Sequence, residues 1–182
     1  MKSNVSFNST LTKFGIGLFE TIKVTDYPLD LDLHMNRLFN SIKELNLSIE
    51  NDKEFYKETI LKYIKENNVK NKALRLTVFD EGYNISLRDI TYNEDTYKNG
   101  FSLCISPIKR GDSIIYRHKT TNYFESMYSK HYATDRNFND AIFLDSLSNI
   151  LECSMSNIFF IKSNTIYTPK SSSPILNGIM KF

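Results

Sequence analysis

Cysteine is scarce in this 182-residue chain. Cys104 and Cys153 are the only two, too few for a disulfide framework and without the spacing of a metal site. No apolar run reaches the length of a membrane span, and Met1-Lys-Ser-Asn-Val-Ser6 has no signal-peptide core. These absences make the cell interior, and hence the cytoplasm, the expected location. A surplus of charge of one sign is also lacking. The formal net charge is +2 with the basic residues scattered, which removes any electrostatic argument for a nucleic-acid partner. Three histidines and dispersed carboxylates show no metal-ligand spacing, and no Gly-x-Ser-x-Gly stretch occurs. Repeats and low-complexity tracts are absent. Gly15-Ile16-Gly17 precedes a strand pattern instead of opening a helix, so it is not a dinucleotide site.

What is present is a globular composition, 41% hydrophobic, long enough for one large domain or two small ones. Residues 4–24 read as two strands around a Thr-Lys turn. Asp32 is a candidate cap for a helix with the apolar stripe Met35, Leu38, Phe39, Ile42, Leu45. Asn51-x-x-Glu54 has the form of a capping box, followed by Tyr56, Ile60, Tyr63 and Ile64 on one face. Residues 73–79 alternate as a strand, Asp80-Glu81-Gly82 turns with both acids facing water, and residues 83–90 return as a hairpin. A strand over 101–105 follows, with Cys104 as a small core residue. The polar segment 109–118 reads as an interdomain connection. Beyond it Phe124, Met127, Tyr128 and His131 fall at i, i+3, i+4 and i+7, the spacing of a helix face packed on a core. Short strands are expected at 141–144, 150–153, 158–161 and 165–167. Asn177-Gly-Ile-Met180 looks like the first turn of a helix. Hairpins mixed with helices favour an α/β fold with antiparallel or mixed sheets over a doubly wound parallel one.

Lys119 stands where an irregular, turn-rich segment meets the helix pattern, a place from which a side chain can enter a cleft. Arg37 lies on the first long helix beside His34 but off the apolar stripe. Glu152 is a lone carboxylate among apolar and small residues. Read singly, each is most simply a solvated surface residue.

The wording and order of the blocks carry more. Phe14-Gly-Ile-Gly-Leu-Phe-Glu-Thr-Ile22, His34-Met-Asn-Arg-Leu38 and His118-Lys-Thr-Thr-Asn-Tyr123 come first. They are followed by Asp140-Ala-Ile-Phe-Leu-Asp145, Leu151-Glu-Cys-Ser-Met-Ser-Asn-Ile-Phe159, Tyr167-Thr-Pro169 and Ile175-Leu-Asn-Gly-Ile-Met180. Together they resemble the class IV, or fold-type IV, pyridoxal-phosphate enzymes. The wording of residues 18–22 and 177–180 is most like that of the aminodeoxychorismate lyases. Family members normally continue for several more strands and helices past the Gly-Ile block.

The resemblance implies a small α/β domain over 1–108, a connection over 109–118, and the first part of a larger pseudo-barrel domain over 119–182. It implies pyridoxal 5'-phosphate as cofactor. Lys119 would be the catalytic amine and proton shuttle, and Glu152 the partner of the pyridine nitrogen. Arg37 and the backbone N–H groups of Ile179 and Met180 would hold the phosphate. Tyr123 would bond the ring oxygen. The implied reaction converts 4-amino-4-deoxychorismate to 4-aminobenzoate and pyruvate for folate synthesis. The alternatives are amino-group transfer of the branched-chain or D-amino-acid type, or a catalytically weak fragment of such an enzyme. Arg75 and Arg117 are the candidates for a substrate carboxylate. A small-molecule amino substrate and a homodimer are the implied partners.

Overall fold

The computed structural model describes Met1–Lys181. The chain divides into two compact units, one made of Met1–Thr91 with Lys119–Asn122, the other of Tyr92–His118 with Tyr123 onward. The division falls at Thr91, ahead of the expected limit at 108, because the strand after it pairs with later strands instead of with the preceding hairpin.

The first unit is a three-stranded antiparallel sheet with two helices. Its strands are β1 (Leu18–Val24), β2 (Lys72–Phe79) and β3 (Gly82–Asp89), in the order β1-β2-β3. Opposite β2, Leu18 faces Val78, Glu20 faces Leu76 and Ile22 faces Leu74. Because side chains alternate across a strand, these residues share one face with Val24. Helices α2 (Leu31–Glu44) and α3 (Lys53–Glu66) accompany the sheet, and Met35, Leu38, Tyr56, Ile60 and Ile64 join the strand residues in one core cluster. Each such side chain contributes about 1.5–3 kcal/mol when fully buried.

Residues 4–24 hold one strand, not two. The stretch ahead of β1 forms a short helix, α1 (Thr10–Phe14), whose cap Ser9 accepts from Leu11 N. Asp80 fixes this start by accepting from Ser9 Oγ (2.5 Å) and Thr10 N (2.8 Å), while Glu81 accepts from Ser6 N at 3.1 Å. Both acids of the hairpin turn are therefore engaged with the amino-terminal segment. Gly15 ends α1 at φ +68°, a left-handed conformation that glycine adopts without penalty. The cap of α2 is Asp30, also left-handed, and Asp32 sits in the first turn, where it pairs with Lys57 at 2.9 Å. The cap of α3 is Asp52, accepting from Phe55 N at 2.8 Å, one residue beyond the expected box.

The second unit holds a mixed sheet of β4 (Leu103–Arg110), β5 (Asp140–Asp145) and β6 (Ile150–Cys153). β4 and β5 are parallel, β5 and β6 antiparallel. The parallel pair is joined by a crossover containing a 3-10 turn (Ile114–Arg117) and helix α5 (Phe124–Thr134), as parallel strands require. A short helix, α4 (Glu94–Asn99), precedes β4 and carries an Asn93–Thr96 capping box. The core is small: Phe143, Leu151 and Ile175, with Ile108 packed against them.

Helix α5 reverses the expected packing. Its buried residues are Ser126, Ser129 and Ala133, whereas Phe124, Met127 and Tyr128 are exposed. Small residues let the helix approach β4 closely enough for Ser129 Oγ and Ser106 Oγ to lie 2.9 Å apart. β4 also runs to Arg110, past Pro107 and the expected stop at 105. Proline is tolerated here because the register with β5 shifts between Ile105 and Lys109. Cys104 is consequently half-buried, and Cys153 is the cysteine in the interior.

β7 (Phe160–Lys162) and β8 (Thr165–Tyr167) form a two-stranded hairpin. Its turn residues Ser163 and Asn164 have φ values of 48° and 62°, the primed-turn geometry that matches strand twist. The last described element is a single 3-10 turn, Ile179–Lys181, where the first turn of an α-helix was expected.

Candidate active site

In the first unit, residues 119–122 return to the start of β1. Phe19 N donates to Lys119 O at 2.9 Å, and Thr121 N donates to Gly17 O at 2.9 Å. Thr120 bridges Leu18, and Thr121 Oγ1 donates to Gly15 O at 2.5 Å. Gly15 and Gly17 thus mark a close approach of two backbone segments. These bonds fix the backbone of Lys119, and its Nζ lies 4.6 Å from the centroid of the Phe19 ring. The guanidinium carbon of Arg75 lies 3.7 Å from the same ring, and Arg75 Nε donates to Thr77 Oγ1 at 3.3 Å. Phe19 pairs with Thr77, and Thr21 with Arg75. Alternation puts these four on the face of the sheet opposite Leu18, Glu20 and Ile22. One ring therefore carries two cationic side chains, an arrangement favourable to both through the ring quadrupole.

Arg37 lies on the helical side of that sheet. Its Nε and Nη2 donate to Glu20 Oε1 and Oε2 at 2.8 and 2.5 Å, and His34 Nδ1 lies 2.6 Å from Oε2. Glu20 is only 1% exposed. Burial by itself would push its carboxyl up, but the bonds from His34 and Arg37 outweigh it and hold the group below the usual range. In α2 the apolar stripe faces the core while His34 and Arg37 reach one buried carboxylate.

In the second unit, Glu152 is buried on β6. Arg110 Nη1 donates to its Oε1 at 2.6 Å, and Leu176 N and Asn157 Nδ2 donate to Oε2 at 3.1 and 3.3 Å. Asn157 Nδ2 also donates to Leu176 O at 2.8 Å, tying the residues just ahead of Gly178 to this carboxylate. Tyr123 is half-buried at the cap of α5. Burial, then the charge of Glu125, pushes the Tyr116 phenol up. Arg117 donates to Ser172 O at 2.9 Å and stands 3.4 Å from Asp112. Ile179 and Met180 open the 3-10 turn, so a helix dipole is not available there and only their N–H groups can serve an anion.

The structure thus gathers Lys119 with Phe19 and Arg75, Arg37 with Glu20 and His34, and Glu152 with Arg110 and Asn157. The first two groups belong to the first unit and the third to the second. Phe19 and Arg110 did not stand out in the sequence. β4 shows what could have found Arg110: Ser106 and Arg110 are buried while Ile105, Pro107 and Lys109 are exposed, a period of two that continues through the proline. No group of three or more His, Cys, Asp or Glu able to hold a metal occurs among the described residues, and no described helix is long and apolar enough to cross a membrane.

Comparison with known proteins gives these geometries a frame. A family model, amino-transferase class IV, matches residues 17–181. The chain belongs to the class IV aminotransferase family. It is 26% identical over 189 residues to an aminodeoxychorismate lyase of Bacillus subtilis, covering 92% of this chain and 63% of that protein. It is 30% identical over 166 residues to a probable branched-chain-amino-acid aminotransferase of Rickettsia felis, covering 81% and 56%. The chain thus spans less than two thirds of the length of these curated relatives. A crystal structure of a putative 4-amino-4-deoxychorismate lyase from Legionella pneumophila superposes with a TM-score of 0.89 at 22% identity, covering all of this chain and 71% of that one. The fold is the mixed α/β architecture of the fold-type IV enzymes. Members of this class depend on pyridoxal phosphate.

The residues present fit that cofactor. A primary amine stands on an aromatic ring beside an arginine, and a buried carboxylate is fixed by three donors. The backbone at Gly178 lies so near Asn157 that a Cβ there would overlap Oδ1.

Proposed function

We propose that this chain is the whole or a part of a pyridoxal-phosphate enzyme whose reaction is the elimination of pyruvate from 4-amino-4-deoxychorismate, leaving 4-aminobenzoate. The observation that carries the cofactor reading is Glu152, a carboxylate buried on β6 and held from three sides. Pyridoxal phosphate, when bound, supplies an electron sink for a carbanion. Lys119 supplies the amine that binds it and then moves the proton from the adjacent ring carbon of the substrate. Glu152 keeps a proton on the ring nitrogen. As the family resemblance implies, Arg37 and the N–H groups of Ile179 and Met180 would hold the phosphate, and Tyr123 would bond the ring oxygen.

For the carboxylates of the substrate, Arg75 is favoured over Arg117. Arg75 stands beside the Lys119 amine on one ring, while Arg117 reaches Ser172 O and Asp112, away from that ring. The lyase assignment is supported by the block wording and by the similarity to the Bacillus and Legionella proteins. Amino-group transfer is the second reading, supported by the Rickettsia relative. The working form is a homodimer in the cytoplasm.

Reconstitution with pyridoxal 5'-phosphate tests the cofactor reading. A visible absorption band of the lysine-bound cofactor is expected in wild type and in Lys130→Ala, and its loss in Lys119→Ala; identical spectra in all three would sink it. Pyruvate release from aminodeoxychorismate without a 2-oxo acid acceptor selects the lyase, and transfer to 2-oxoglutarate selects the transaminase. A monomeric mass by light scattering at micromolar concentration would rule out the dimer.

A further inference from the structure

We propose that Arg110 is the positioning residue of this site, holding the Glu152 carboxylate ionised and aimed for the ring nitrogen of a pyridine cofactor. This rests on the cofactor reading above. The family resemblance pointed to Glu152 alone, and only the fold shows what stands behind it.

A carboxylate buried as Glu152 is would take up a proton and become neutral unless a charge offset the loss of water. A neutral carboxyl can still donate a hydrogen bond to a pyridine nitrogen, but it cannot keep a proton there. The charge is supplied by Arg110, which ends β4 and is 5% exposed. A guanidinium stays protonated at every working pH, so the pair cannot be neutralised from the arginine side. Its position is fixed as well as its charge. The guanidinium carbon lies 3.8 Å from the centroid of the Phe143 ring and 4.6 Å from that of Tyr116, and Phe143 is a fully buried member of the core. Nη1 reaches Oε1 at 2.6 Å, while the other oxygen is held by Leu176 N and Asn157 Nδ2. The carboxylate is thereby clamped at both oxygens, and its orientation is set by groups from β4 and from the loops carrying Asn157 and Leu176. Cys153 and Lys181 are among the titratable groups that sense its charge. Cys153 is neutral at working pH. The ammonium of Lys181 donates to Pro169 O at 3.0 Å, and burial draws its proton affinity down. Arg110 is a charged group bonded directly to the carboxylate and fixed in place by the core.

The test compares wild type, Arg110→Gln and Arg110→Lys in the full chain. Glutamine keeps an N–H donor for Oε1 and removes the charge, while lysine keeps the charge. The first readout needs no cofactor: carbon-13 NMR of the Glu152 carboxyl, assigned with Glu152→Gln. Its proton affinity is expected to rise at least about tenfold in Arg110→Gln and to return toward wild type in Arg110→Lys. The second readout uses pyridoxal 5'-phosphate labelled with nitrogen-15 in the ring. A protonated ring nitrogen is expected at about pH 7.5 in wild type and Arg110→Lys, and a neutral one in Arg110→Gln. An unchanged Glu152 titration, or a ring nitrogen still protonated in Arg110→Gln, would overturn the proposal. So would a wild-type Glu152 found neutral at pH 7, a result that needs no variant to fold. If wild type gives no signal from bound cofactor, the cofactor reading fails, and the carboxyl titration still decides whether Arg110 sets the charge of Glu152.

Discussion

Asn157 leaves no room for a side chain at Gly178: a Cβ built there would overlap its Oδ1, with Cγ 3.0 Å away. The amide cannot swing aside freely, because Nδ2 is bonded to Leu176 O and Glu152 Oε2. The requirement for glycine is one of space.

Gly178→Ala is therefore expected to destabilise the chain by about 1–3 kcal/mol, the usual cost of overpacking. Denaturant midpoints measure it. The double variant Gly178→Ala/Asn157→Ala should lose less than the sum of the two single variants, because removing the amide opens the space. Additive losses would show that the two residues do not constrain each other.

The Glu20 carboxylate makes stability depend on acid. Its proton affinity is lowered in the folded chain by His34 and Arg37 against the opposing effect of burial. Its contribution is thus complete above the unfolded carboxyl pKa of about 4.3 and is lost as pH falls through the lower folded value. Glu20→Gln leaves Arg37 without its counter-charge and should cost about 3 kcal/mol at pH 7. The difference between wild type and variant should shrink as the unfolding titration is carried below about pH 4. A gap constant from pH 7 to 3 would contradict the linkage.

The two cysteines should differ in reactivity. Burial first, and then the charge of Asp140, pushes the Cys153 thiol up to about 11, and the residue is 5% exposed. At about pH 8 its thiolate fraction falls roughly a hundredfold below that of an ordinary thiol. Cys104, half-buried on β4, should take iodoacetamide first, with Cys153 modified only on unfolding. Mass spectrometry of partly alkylated protein reads the order directly.

Arg75 offers a kinetic separation. Arg75→Ala removes a cation from the Phe19 ring without touching the backbone bonds that hold Lys119. A charged hydrogen bond to a substrate carboxylate contributes about 1.5–3 kcal/mol, so KM should rise roughly 10- to 100-fold while the cofactor band persists. An unchanged KM would place carboxylate recognition elsewhere.

Much of the first unit was legible in the sequence because its elements obey local rules. The alternation over 73–79, the Asp80-Glu81-Gly82 turn and the apolar stripe of α2 each follow a single period set by strand or helix geometry. The family blocks likewise singled out Lys119, Arg37 and Glu152 by chain order alone. Helix α5 shows where local rules stop. Its larger apolar residues have the spacing of a core face, yet Ser126, Ser129 and Ala133 are the ones buried, because only small side chains admit the helix so close to β4. The partners of the candidate site were also a tertiary matter. Phe19 and Arg75 meet through strand register across more than fifty residues, and Arg110 meets Glu152 through a parallel pairing that sequence periodicity cannot specify. Residue identity fixed which charges the chain carries. Burial and register decided which of them stay charged, and beside what.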